Sequence, residues 1–337
     1  MTSRHGLANT GNTCYLNSAI QALARSKPFI DYLGTDAWKK HAHPDRKCHD
    51  LTEFTAEIVV AIQEPGNKLI VPANFVRAFV KYAHEINDEI QFGTQADAAE
   101  AVQILLDGLH SQLSREVRMD ISGEATTPEQ VALVKALEGW SNFFRKEYSP
   151  LIEQFYGQTQ TTVICDACKA VSTRYEPWSV FKVPIPGADK QGSPAPSLDE
   201  CLAAAVAPET LDDYECSGCS KKGPAKITHT ISRFPKHFIV SLKRFTNAGS
   251  KVRARIPYDP KNIDMNAYRA WPSIQGDVKY RLNSTVEHMG GSQGGHYCMR
   301  TLDSSGEWII YDDGRCGPSP FGGDAGPDTY MLFLEMI

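Results

Sequence analysis

Apolar and polar residues along this 337-residue chain follow two different periods. Up to about residue 150 the apolar positions recur every three or four residues, the spacing of helices with one buried face. Leu16, Ile20 and Leu23 form one such face, which Ser26-Lys27-Pro28 is expected to close. Asp50-Leu51-Thr52-Glu53 has capping-box spacing ahead of Phe54, Ile58 and Ile62, and Pro65-Gly66 ends that run. A helix is predicted from about Pro72, with Val76, Phe79, Val80 and Ala83 inward. In residues 93–113 Asp97 and Glu100 stand three apart before Ala101, Leu105, Leu109 and Leu113, which is again capping-box spacing. Thr127-Pro128-Glu129-Gln130 opens another helix, with proline suited to its first position and Val131, Val134, Leu137 and Trp140 as core positions.

From about residue 158 the period becomes two, the mark of strands. Residues 226–245 read as two strands around Phe234-Pro235-Lys236, and residues 280–299 as strand, glycine-rich loop and strand. Trp308-Ile309-Ile310-Tyr311 and the last ten residues are further strands. Residues 187–196 form a Pro/Gly/Ser loop, and Ser197-Leu198-Asp199-Glu200 starts a short helix carrying Cys201 as a packing residue. The expected class is therefore α+β. With no internal repeat and no low-complexity linker, residues 1–337 are expected to form one domain, helical to about 150 and sheet-based from about 151.

Composition narrows the setting. Hydrophobic content of 42% and charged content of 22% suit a globular protein with a large core. A net charge of −5 argues against a broad nucleic-acid-binding surface. No stretch has the apolar length of a membrane span, and Met1-Thr2-Ser3-Arg4-His5 is not a signal peptide. Nine cysteines, four of them in two C-x-x-C pairs, suit metal binding in a reducing compartment, cytosol or nucleus. Cys165, Cys168, Cys216 and Cys219 are the ligand set for one structural zinc, two turns each presenting two sulfurs. Two unrelated thiol pairs are the alternative; a thioredoxin-like site lacks its βαβ surroundings. His41, His43, Cys48 and His49 have no second half at matching spacing and read as a polar loop.

Candidate chemistry concentrates in three places. Residues 6–18 read GLANTGNTCYLNS, with Cys14 where a Gly/Asn/Thr loop gives way to a helix. Unpaired N–H groups and the helix dipole at such a position favour thiolate, although a buried inert cysteine is the plainer reading. Gly294-Gly295-His296-Tyr297 enters a strand out of a glycine-rich loop, and Asp312 and Asp313 end another. Alone, these are a packed histidine and two turn acids.

Together the three stretches resemble the ubiquitin-specific proteases, papain-like deubiquitinating cysteine proteases. GLANTGNTCYLNS is similar to their cysteine signature, Gln95, Asp97, Ala98 and Glu100 to their glutamine/aspartate block, and residues 280–299 to their histidine block. FPKHFIVSLKRF, EWIIYDDGRC and the closing strand extend the likeness from residue 7 to the end, with Ala101 and Thr329 departing from the usual residues. The resemblance implies a hand-shaped fold with a helical thumb, zinc-bearing fingers and a β-sheet palm. It implies Cys14 as nucleophile, His296 as base and general acid, and Asp312 as the group that orients it, with Asp313 auxiliary. It also implies Asn9 and the Cys14 N–H as oxyanion donors. Gln95, Asp97, Glu100, His288, Gly295 and Tyr297 would line the channel for the arginine-bearing C-terminal tail of ubiquitin. The implied partners are ubiquitin and ubiquitinated proteins, met by a monomer that hydrolyses the bond after ubiquitin's last glycine through a thioester. The same chemistry on another ubiquitin-like modifier, or a non-catalytic ubiquitin-binding scaffold, remains open. A zinc hydrolase is disfavoured, since four thiolates leave the metal no open position.

Overall fold

In this computed structural model, which describes residues 4–187, 194–246, 248–292, 294–319 and 325–337, the two periods become two kinds of architecture. Most of the expected 187–196 loop, and Gln293 in the glycine-rich loop, lie outside the described residues. The first half contains β1 (Gly6–Leu7), α1 (Cys14–Leu23), α2 (Lys27–Leu33), α3 (His49–Gln63), β2 (Leu69–Ile70), α4 (Ala73–Ile86), α5 (Ala98–Leu113), α6 (Pro128–Phe144) and α7 (Pro150–Phe155). The second contains β3 (Gly157–Cys165), β4 (Val171–Trp178), β5 (Val180–Pro184), α8 (Leu198–Ala205), β6 (Glu209–Glu215), β7 (Lys222–Arg233) and β8 (His237–Lys243). It continues through β9 (Ile263–Asp264), β10 (Lys279–Gly291), β11 (Gly294–Leu302), β12 (Trp308–Asp312), β13 (Arg315–Pro318) and β14 (Thr329–Met336).

Several helix starts carry the expected caps. Thr127 and Gln130 form a capping box on α6, and Ser197 and Glu200 form one on α8. Two starts and one buried face differ. Ser26-Lys27-Pro28 does close α1, but it also opens α2, where proline sits in the first turn and loses no helical hydrogen bond. Asp50 lies inside α3, which begins at His49 without a side-chain cap, so Asp50 meets the helix dipole rather than an N–H group. On α6 only Trp140 of the four expected core positions is buried. Ala136, Trp140 and Phe144 face inward because one narrow side of α6 meets β4, where the Tyr175 hydroxyl donates to the Ala132 carbonyl at 3.2 Å.

Two sheets organise the second half. The small one runs β4-β3-β7-β6, and the large one runs β13-β12-β11-β10-β14-β8-β5 with β9 added against β10. The chain passes directly from the small sheet to the large one at Ser179 between β4 and β5 and at Phe234-Pro235-Lys236 between β7 and β8, and returns between β5 and β6 by way of α8. Alternation along the large sheet fills two cores. Ile239, Met331 and Phe333 pack with the helices of the first half, whereas Phe238, Val240, Leu242, Leu332 and Leu334 pack on the opposite face with α8. A sheet buried on both faces explains the near-continuous apolar runs of β8 and β14. Among the described residues no helix is long and apolar enough to cross a membrane.

A buried guanidinium ties β14 to what precedes it. Arg244 is fully buried and donates to the carbonyls of Val252 and Ala254 at 2.9 Å, Gly326 at 2.8 Å and Thr329. Burial holds its pKa down, at about 10, which still leaves it charged at neutral pH. Arg244→Met would orphan four carbonyls, so a loss on the order of 3–5 kcal/mol is expected. Urea unfolding measures it, and a loss below about 1 kcal/mol would show that the network carries little stability.

Candidate active site

The site is assembled where α1 packs against β11 and its neighbours β10 and β12 in the large sheet. Cys14 is the first residue of α1 and only 3% exposed. The Tyr297 backbone N–H donates to its sulfur, which sets the thiol against β11 one residue beyond His296. His296 Nε2 lies 2.5 Å from Asp312 Oδ1, at the end of β12. A carboxylate only accepts, so Nε2 carries the proton and Nδ1 is left as the basic nitrogen. Three elements distant in sequence thus carry the sulfur, imidazole and carboxylate singled out above: α1 packs on β11, and the imidazole on β11 meets the carboxylate at the end of β12.

Asp313 connects these parts. Its backbone is left-handed, at φ 48°, a conformation aspartate tolerates better than most residues. Oδ2 accepts from Asn9 Nδ2 at 2.8 Å, Oδ1 from Asn17 Nδ2 at 2.8 Å, and the carbonyl from the Leu7 N–H at 2.9 Å. Asn9 Oδ1 in turn accepts from the N–H groups of Gly11 and Thr13, at 3.1 and 3.2 Å. One N–H of the Asn9 amide is therefore committed to Asp313 and the second remains for a ligand. Asn17 was missed by sequence reading. Its signal is a polar residue, 2% exposed, one turn after Cys14 on a helix that is buried along its whole length.

The expected effect of the helix start on the thiol is only partly realised. N–H groups of Tyr297, Tyr15 and Cys14 do pull the Cys14 pKa down. Burial, with the Asp313 carboxylate adding to it, outweighs them and pushes the thiol above its ordinary value. The free protein holds a protonated thiol at neutral pH.

Beside the triad lies a cleft of about 460 Å³, lined in part by Gln95, Asp97, Glu100, His288, Gly295 and Tyr297. Asp97 caps α5 as its spacing suggested, Oδ1 accepting from the N–H groups of Ala99 and Glu100, while Oδ2 accepts from the Tyr330 hydroxyl. Glu100 does not complete a capping box. Its Oε1 accepts from Asn87 Nδ2 at 2.9 Å, which turns the carboxylate into the cleft. His288 stacks on Tyr297 with ring centroids 4.5 Å apart and meets the edge of Phe245 at 5.5 Å. Burial and the nearby Lys251 ammonium hold its pKa low, so it is neutral. Gln95 reaches across the cleft: its Nε2 donates to the Gly295 carbonyl at 2.9 Å, and its Oε1 accepts from the Gly295 N–H at 3.1 Å.

At the far end of the small sheet, the four cysteines of the C-x-x-C pairs have their sulfurs within 4.8 Å of one another. Cys168 and Cys216 sulfurs are 3.6 Å apart, close to the roughly 3.8 Å edge of a tetrahedron built on Zn–S bonds of about 2.3 Å. The two turns have the same construction. Lys169 and Ser220, each following the second cysteine, are left-handed at φ 59° and 54°, and their N–H groups donate to Cys165 and Cys216 carbonyls. The register of β3 with β7, Cys165 opposite Ala225, brings the turns side by side. N–H groups of Cys219 and Gly218 hold the Cys216 thiol down, at about 7, so it is readily ionised for a cation. The cluster fits a metal ion by donor type and by spacing.

Comparison with known proteins places these features. The sequence profile described as ubiquitin carboxyl-terminal hydrolase matches residues 5–333. Ubiquitin carboxyl-terminal hydrolase 2 of Homo sapiens is 26% identical over 98% of this chain and 55% of the relative. Ubiquitin carboxyl-terminal hydrolase 4 of Saccharomyces cerevisiae (strain RM11-1a) is 28% identical over 98% of this chain and 39% of the relative. The chain thus spans about half the length, or less, of the curated relatives it matches. Among solved structures, the SAGA DUB module Ubp8/Sgf11/Sus1/Sgf73 bound to monoubiquitin superposes with a TM-score of 0.71, at 20% identity, covering 98% of this chain and 69% of that one. That likeness establishes the fold: helical thumb, small-sheet fingers and large-sheet palm.

The raised thiol has a measurable consequence. Alkylation of Cys14 by iodoacetamide, followed on the Cys14 peptide by mass spectrometry, should keep accelerating as pH rises past about 8.5, the ordinary thiol value. Asp313→Asn removes a negative charge that disfavours the thiolate, so its profile should move to lower pH. A profile unmoved or moved upward would show that the carboxylate has no such effect.

Proposed function

The chain belongs to the ubiquitin carboxyl-terminal hydrolase family, and from that premise we propose that it is a deubiquitinating cysteine protease acting through Cys14, His296 and Asp312. The observation that carries the reading is the His296–Asp312 contact of 2.5 Å beside a sulfur held by the next residue's N–H. Residues 1–337 act as one catalytic domain in this reading, the helical part to about 150 and the sheets from 151 closing on each other at the triad.

Asp312 holds the imidazole with its Nε2 proton inward, and Nδ1 takes the proton of the Cys14 thiol. The sulfur attacks the carbonyl carbon of ubiquitin's terminal glycine, and its oxygen becomes an oxyanion. The uncommitted N–H of Asn9 and the Cys14 N–H stabilise that charge, a contact worth about 2.7–4 kcal/mol per donor in comparable sites. His296 gives its proton to the departing lysine amine as the C–N bond breaks, which leaves a thioester. A water that surrenders a proton to His296 then hydrolyses it and restores the thiol.

The cleft suits an extended cationic tail. Glu89, Asp97 and Glu100 line it, and Glu100 retains acceptor capacity beyond its bond to Asn87. We assign Zn²⁺ to Cys165, Cys168, Cys216 and Cys219 as a structural ion, since four thiolates fill a tetrahedron and leave no site for water. None of the nine cysteines is joined in a disulfide, and this reading places the protein in a reducing compartment such as cytosol or nucleus.

Cys14→Ser should lower turnover of a fluorogenic ubiquitin C-terminal reporter by roughly 10³-fold or more while leaving the melting temperature in place. Wild-type protein should be labelled covalently by an electrophilic ubiquitin probe at Cys14. Undiminished turnover in the variant would remove Cys14 from the mechanism, and an unlabelled wild type would favour the binding-scaffold reading. For the metal, elemental analysis should find about one zinc per chain. The double variant Cys165→Ser/Cys216→Ser should lose it and lower thermal stability; zinc retained in that variant would mean other ligands hold it.

A further inference from the structure

The proposed reaction brings two polypeptides to the triad, one on each side of the scissile bond, and the cleft described above holds one of them. Strand order across the large sheet locates a second depression. Crossing β10, β11, β12 and β13 in turn, His288 and Gly295 of the tail cleft come first and the His296–Asp312 pair second. Beyond them, Gly314 and Cys316 wall a depression of about 320 Å³, with Arg4, Asn67, Lys68 and Leu69 on its other side. Its floor begins two residues past Asp312. The Leu69 side chain lies over that point, since a Cβ on Gly314 would come within 2.8 Å of Leu69 Cδ1. The two depressions therefore flank the triad along the sheet.

The lining of this second depression has a definite character. Leu69 lines it and is 60% exposed, and Val71, two residues on and just past β2, is 64% exposed outside the lining. Basic groups surround them. Arg4 is committed to Asp303 at 2.9 Å. Lys68 reaches Glu64 only at 3.4 Å, with both side chains more than half exposed, a pairing too weak to withhold it from a ligand. On the sheet side the lining comes from Gly314, Cys316, Gly317 and Pro318, which add no charge.

We propose that this depression is an acceptor-side subsite: it takes the extended polypeptide segment carrying the modified lysine, over Leu69 and toward Val71, and favours acidic residues beside that lysine through Lys68. The inference rests on the deubiquitinase reading, with ubiquitin's tail in the other cleft. The ammonium-bearing leaving side then emerges beyond Asp312, where this surface begins.

The test compares three substrates for wild type, Lys68→Glu and Leu69→Ser. One is a small fluorogenic ubiquitin C-terminal reporter, which has no acceptor polypeptide. The others are ubiquitin joined by an isopeptide bond to a peptide lysine flanked by glutamates, or by lysines. Reporter turnover should stay within about twofold of wild type in both variants. On the glutamate-flanked conjugate kcat/KM should fall about fivefold or more in both. Lys68→Glu should also shift the preference toward the lysine-flanked conjugate. Unchanged kcat/KM on both conjugates, or losses that the reporter shares in equal measure, would overturn the subsite. A wild type that cleaves the reporter and conjugates but shows no flanking preference would overturn its charge selectivity, whereas a wild type inert on all three would overturn the parent reading.

Discussion

Asp313 couples the two halves of the molecule at the point where chemistry is proposed. Its carboxylate holds Asn9 on one side of Cys14 in sequence and Asn17 on the other, and its carbonyl holds Leu7. The loop that carries the nucleophile is thereby clamped at both ends to the turn after β12. Because Asp312 immediately precedes that turn, the residue that orients the imidazole is fixed by the same clamp. The placement of the Cys14 loop and of Asp312 is a consequence of this one node rather than of independently placed side chains. Charge-assisted hydrogen bonds of this kind are the stronger ones, which suits a joint between segments so distant in sequence.

The clamp has an electrostatic cost. A carboxylate near the sulfur opposes the thiolate, and burial opposes it more. Three N–H groups aimed at the sulfur do not overcome the two. In the proposed mechanism ionisation of Cys14 is therefore coupled to proton transfer, and His296, with its Nε2 engaged by Asp312, would accept the proton at Nδ1. Protection of the free protein follows from the same balance, since a protonated, buried thiol is a poor target for oxidants and electrophiles.

Much of this was legible in the sequence, for identifiable reasons. Local signals were read well where they act locally: Thr127 and Ser197 cap their helices because a side chain and an N–H three residues on are bonded neighbours whatever the fold. The C-x-x-C pairs were legible because turn chemistry and donor type suffice to describe a metal cage. Misreadings came where tertiary contact decides. Asp50 lost its cap role because the chain enters α3 earlier, and Val131 faces solvent because α6 has one narrow neighbour rather than a full core beneath it. Glu100 looked like half of a capping box, and only the position of Asn87, outside α5, turns it toward the cleft. Asn17 went unnoticed since its partner, Asp313, lies almost at the other end of the chain.

The glycine-rich loop shows how a functional reading and a packing reading meet. Gly295 was expected to line the tail channel, yet the protein's own packing already demands glycine there, where a Cβ would fall 2.3 Å from His288 Nε2 and 2.4 Å from the Met289 carbonyl oxygen. The N–H and carbonyl of Gly295 point away from β10 and are both satisfied by the Gln95 amide. An extended peptide entering the cleft along β11 would offer that edge the same two bonds that Gln95 now makes. Exchange of one pair for the other is nearly neutral, since a net hydrogen bond contributes only about 1 kcal/mol. Gln95 thus keeps a strand edge from being left unpaired, and rotation of its side chain would release that edge without unfolding the loop.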